Sequence, residues 1–163
     1  MKLSGILKLS VLLLGILLLS GCGSSVGLGL RADFETIAQD ATSPFSNIQA
    51  HVQILRSEEE LGTLWQQIHG GESAPPPVPQ VSFPDKMVIV LVDSARPTGG
   101  YAIAITAVTP TEQGIFVTAV QTSPGPTCVV TQALTQPYHI VTVPWLPGNP
   151  SLTLASVIRD CGS

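Results

Sequence analysis

Six consecutive apolar residues, Met87-Val88-Ile89-Val90-Leu91-Val92, constrain this chain more than any other segment. Successive side chains of a β-strand point to opposite faces. A run with no polar position has no face to turn to water, and its β-branched residues favour extended backbone. The segment is expected to be a central strand covered on both faces.

The segments around it supply candidates for that cover. Ser57 is a natural N-cap, and Glu60, three residues on, completes a capping box. Glu58 and Glu59 occupy the first turn, where the helix dipole favours negative charge. Leu61, Leu64, Trp65 and Ile68 follow at helical spacing and define one apolar face. Gly70-Gly71 ends the helix. Upstream, Asp33–Ala38 and Ile48–Leu55 alternate as half-buried strands do, and Asp40–Asn47 is rich in turn formers. Pro75-Pro76-Pro77 and Pro79 stiffen the loop after the helix. Downstream, Tyr101–Val108 and Ile115–Gln121 alternate on either side of Pro110, Glu112 and Gly114, which predicts an antiparallel hairpin. Tyr138–Pro144 makes another strand, Pro147–Pro150 a turn, and Ser151–Ile158 a last strand. The expected fold is α+β, mainly β. It is a single domain with an antiparallel sheet of about six to seven strands and one amphipathic helix towards its N-terminal side.

The N-terminus has the parts of an export signal: Lys2 and Lys8, an apolar stretch from Ile6 to Leu19, and small residues before Cys22. The stretch is short of the roughly 20 apolar residues of a membrane span. Leu19-Ser20-Gly21-Cys22 resembles the lipobox of bacterial lipoproteins. That resemblance implies a signal peptide over residues 1–21, lipidation of Cys22 and a lipid anchor in the cell envelope. Gly23 stands where the inner-membrane retention signal of that family has Asp, which favours the outer membrane or outer surface. Residues 22–32 read as a Gly/Ser-rich flexible tether, and residues 33–161 as the folded domain. Loss of Lys2 and Lys8 moves the formal charge from −4 to −6. An acidic, sparsely charged chain without a basic patch is no nucleic-acid binder. With Cys22 lipidated, Cys128 and Cys161 remain as a candidate disulfide in an oxidising compartment. The alternative is two unpaired thiols, one buried and one in the tail.

Arg96-Pro97-Thr98-Gly99-Gly100-Tyr101 is the most distinctive segment of the domain. Paired glycines before a strand allow close approach of another backbone. The reading as a tight loop entering the hairpin competes with that of a binding loop. The apolar strand, this segment and Pro124-Gly125-Pro126-Thr127-Cys128 through Pro137-Tyr138-His139 together resemble the C-terminal domain of the protease complex subunit PrcB family, over residues 87–144. The resemblance implies an exported domain that associates with and stabilises a cell-surface protease complex. It brings no catalytic residues and no cofactor. Arg96, Thr98, Gly99, Gly100, Tyr101, Pro137, Tyr138 and His139 are the candidate partner-binding residues, Arg96 as a charged anchor and Tyr101 as a rigid aromatic one.

Catalysis has weak support in the residues. Cys128 and His139, with Asp93 to orient the imidazole, are the minimum for a thiol nucleophile. The cysteine lies in a Pro-rich loop without a hydrolase signature, and Ser123 has no nucleophile elbow. His51 and His69 have no metal-ligand spacing. The expectation is a non-enzymatic lipoprotein that binds a protein partner, with no metal and no cofactor. The competing reading is a binder of small ligands or envelope glycans.

Overall fold

The computed structural model describes residues 31–42 and 49–162. The expected signal peptide, the expected lipidation site Cys22 and the expected tether up to residue 30 lie outside the described residues. Ala32 is already part of the fold, its N–H donating to Val108 O at 2.8 Å.

Seven strands and one helix follow: β1 (Glu35–Asp40), β2 (His51–Leu55), α1 (Glu58–His69), β3 (Lys86–Val92), β4 (Ala102–Thr111), β5 (Gly114–Pro124), β6 (Tyr138–Pro144) and β7 (Pro150–Arg159). Among the described residues the chain is therefore mainly β with one helix, as expected. The strands divide into two sheets, a four-stranded one in the order β1-β6-β3-β2 and a three-stranded one in the order β4-β5-β7. The first is antiparallel throughout. In the second, β4 and β5 form the expected hairpin, whereas β7 lies parallel to β5, from Ile115↔Pro150 to Pro124↔Arg159. The antiparallel expectation fails at this one pair, because residues 145–149 carry the chain across to the start of β5 before β7 begins. Ile115 N–H donates to Asn149 O there at 3.0 Å.

β3 is the centre of the molecule, and Met87 to Val92 are wholly buried. Met87, Ile89 and Leu91 pack between the sheets with Ile103, Ile115, Val117 and Val141. Val88, Val90 and Val92 face the other way, against Leu61, Leu64 and Ile140. One face of the strand is thus covered by the second sheet and the other by α1. Each such side chain contributes about 1.5–3 kcal/mol when fully buried.

α1 sits where its caps require. Ser57 Oγ accepts from Glu60 N–H at 3.2 Å. Glu60 Oε2 accepts from Arg56 N–H at 2.6 Å, so the reciprocal bond of the capping box falls one residue upstream of the cap. Trp65 is core, its indole N–H donating to Pro76 O at 2.9 Å. Arg56 donates to Leu146 O and Gly148 O, joining the end of β2 to the crossing before β7.

Candidate functional site

The distinctive loop begins immediately after β3, at Asp93. This carboxylate is wholly buried. Arg96 meets it with two parallel bonds, Nε to Oδ2 at 3.0 Å and Nη2 to Oδ1 at 2.9 Å. Gln121 Nε2, from β5, donates to both oxygens at 2.8 and 3.0 Å. Ser94 N–H donates to Oδ1 at 2.7 Å. Bidentate, charge-assisted pairing of this kind is the stronger class of hydrogen bond. It compensates a charge that burial alone would expel.

Loop 96–101 is then laced to the strand-entry segment 131–137. Arg96 and Thr135 exchange backbone bonds at 2.7 and 3.0 Å, and Thr135 Oγ1 donates to Thr98 O at 2.7 Å. Gly99 N–H donates to Thr131 O at 2.9 Å, and Gln136 Nε2 to Asp93 O at 3.0 Å. Gly100 has φ +85°, and a Cβ there would lie 2.8 Å from the Val130 side chain and 3.0 Å from that of Pro124. Only glycine suits that backbone and that gap. The Arg96 guanidinium lies 5.2 Å from the centroid of the Tyr101 ring. Both readings of the paired glycines thus meet in one feature: a tight loop whose backbone is approached closely by a second loop.

The expected anchors take different places from those foreseen. Arg96 is half-buried and its charge is matched internally by Asp93. Tyr101 is half-buried beneath it. Pro137, Tyr138 and His139 were expected at the surface, and all three are buried. The reason is position: Tyr138 and His139 open β6, the strand between β1 and β3. Burial raises the Tyr138 phenol above its usual value, and the charges of Asp40 and Glu72 push it the same way.

His139 joins the two sheets. Its Nδ1 accepts from Ile105 N–H at 2.9 Å, which leaves Nε2–H to donate to Thr36 Oγ1 at 2.9 Å. Burial holds the imidazole below its usual value near 6.5 and favours the neutral ring this arrangement needs. The bonds of Asp93 go to Arg96 and Gln121, not to His139. Cys128 is bonded to Cys161, with their Cα atoms 4.9 Å apart. The three residues of the considered thiol site are therefore separately engaged. Among the described residues, no three His, Cys, Asp or Glu side chains are grouped to hold a metal.

The disulfide brings the C-terminus to the loop that contacts Gly99 and Gly100. Between them lies an open cavity of about 590 Å³, lined by Gly100, Pro124, Val130, Thr131, Arg159 and Asp160. On the same loop Val129 is fully exposed and Leu134 is 80% exposed. Alternation rules do not reach irregular loops, so sequence reasoning named neither. Their one signal was an apolar residue inside a Pro/Gly/Thr-rich segment.

Residues 87–144, from β3 through β6, match the family model of the PrcB C-terminal domain. No curated protein and no solved structure matches the chain.

Proposed function

We propose, taking residues 87–144 as a PrcB C-terminal domain, that this chain is a non-catalytic lipoprotein that holds and stabilises a protein partner, an exported protease complex. Cys22 carries the lipid, and the residues between it and Ala32 tether the domain at the outer surface of the envelope. The observation that carries the reading is the pairing of exposed Val129 and Leu134 with the cavity beside Gly100. Exposed apolar side chains on a segment braced by backbone bonds and a disulfide suit a partner surface, because little order has to be gained on binding. The bonding of Cys128 to Cys161 and the engagement of both His139 nitrogens support a non-enzymatic role.

The test is crosslinking and capture of the full chain from detergent-solubilised membranes. Wild type should retain a protease subunit, and Val129→Asp/Leu134→Asp should lose it while melting at the same temperature. Equal retention by both proteins would overturn the reading. Cys22→Ser should abolish incorporation of labelled palmitate and release the chain from membranes; continued labelling would remove the anchor from the proposal.

A further inference from the structure

We propose that the second half of β7 is a strand-addition site, taking from the partner an extended segment whose one charge is a carboxylate opposite Arg159. This rests on the partner-binding reading above.

The two sheets end in four edge strands: β1, β2, β4 and β7. Unpaired edges recruit other strands, so proteins blunt them with bulges, charge, shortness or cover. β1 is bulged between Thr36 and Ala38 and carries Glu35 and Asp40. β2 has five residues. β4 is bulged between Ile105 and Ala107. Its outward groups are also engaged: Gln39 Nε2 donates to Ile103 O, Ile105 N–H to His139 Nδ1, and Ala32 N–H to Val108 O. β7 has ten residues and an unbroken register with β5. It has no charged side chain before Arg159 and no proline after Pro150.

The direction of its backbone groups follows from its two ends. Asn149 O accepts from Ile115 N–H, and Arg159 O accepts from Gly125 N–H. Odd-numbered residues therefore turn their main chain towards β5. In a strand, the groups of successive residues alternate between sides, so Leu154, Ser156 and Ile158 present theirs at the free edge. Leu152 and Leu154 still pack against the inter-sheet core beside Val52 and Ile54. From Ala155 to Arg159 every residue is exposed, and Ile158, on the core-facing side, is 73% exposed. The strand end is nevertheless held in place by β5 and by the Cys128–Cys161 bond.

A row of alternating N–H and C=O groups is complementary to another extended backbone. Charge narrows the occupant further. Among the described residues the ion pairs are His69–Glu72, Lys86–Glu35 and Arg96–Asp93, and none involves Arg159. A strand without other charges that ends in a cation with no ion pair among the described residues selects a segment that is uncharged apart from an Asp or Glu at that end.

A phage-displayed random dodecapeptide library, selected on the full chain in detergent micelles, tests this. Enriched peptides should alternate small apolar residues and carry one acid. Ile158→Pro removes an outward N–H without touching the β5 ladder. It should weaken binding of the best peptide about tenfold or more, the scale of one hydrogen bond plus a clash. Ile158→Ala, which keeps the N–H, should weaken it less, and Arg159→Gln should weaken it severalfold. In wild type, bound peptide should slow amide exchange at Leu154, Ser156 and Ile158. No enrichment over bare micelles, protection confined to other segments, or binding indifferent to Ile158→Pro would each overturn the proposal. So would a concentration-dependent dimer that Ile158→Pro abolishes, because the edge would then belong to a second copy. The exchange measurement decides alone if Ile158→Pro melts early. Protease capture that survives Ile158→Pro removes strand addition and leaves the partner reading intact.

Discussion

Asp93 and Arg96 illustrate how a residue's chemistry is decided by what surrounds it. In a surface loop Arg96 would be a free cation, available to a partner. Here it closes on a wholly buried carboxylate that also receives Gln121. Removal of one member of a buried pair leaves an uncompensated charge and costs about 3–5 kcal/mol. Arg96→Ala should destabilise the domain by that amount in urea titration. Arg96→Lys should recover only part of it, because an ammonium cannot reproduce the two parallel bonds. A loss under about 1 kcal/mol for Arg96→Ala, the range of exposed pairs, would show that the cluster is solvated.

His139 carries a second residue-scale consequence. Its folded pKa lies below the unfolded value near 6.5. Between the two values the unfolded chain binds the proton and the folded chain does not, so stability falls as pH drops through that window. The contribution is complete above about 6.5 and is lost progressively beneath it. Protonation also removes the acceptor for Ile105 N–H. The melting temperature should decline between pH 7 and pH 5 more steeply in wild type than in His139→Gln. Parallel declines would assign the pH dependence to other groups.

At the scale of elements, the legible parts were those with local signals. The capping box at Ser57 and Glu60 placed α1, and the unbroken apolar run placed β3 with both faces covered. The β4–β5 hairpin was visible in its alternation, although β4 continues through Pro110 to Thr111. It can do so because β4 is an edge strand, where proline removes no ladder bond. Two features were not legible. Alternation states which face of a strand is buried, but not which neighbour it pairs with or in which direction, so the parallel β5–β7 pair and the division into two sheets were hidden. The motif Pro137-Tyr138-His139 was distinctive in sequence, yet distinctiveness does not separate a surface motif from a packing motif. Tyr138 and His139 belong to β6, and His139 is distinctive because it bridges sheets.

At the scale of the molecule, the candidate site depends on distant parts being held together. Loop 96–101 is fastened to segment 131–137 by backbone bonds, and that segment leads back to Cys128. Cys128 is bonded to Cys161, two residues beyond the end of β7. The cavity and the open strand end therefore share one covalent brace, across a sequence separation of 33. A closed loop of that length stabilises by about 3–4 kcal/mol through the entropy it removes from the unfolded chain. The Cys128→Ser/Cys161→Ser protein should lose stability on that scale in urea titration. Its local effect should be uneven. Amide exchange should accelerate at residues 125–131 and 155–161, which rest on the brace, and change least in β3, which is buried by both sheets and helix. Acceleration spread equally over β3 and β7 would show the bond to be a global staple only. Unequal acceleration would make it the element that holds the proposed binding surface in a single shape, so reduction would weaken the proposed partner capture before the domain unfolds.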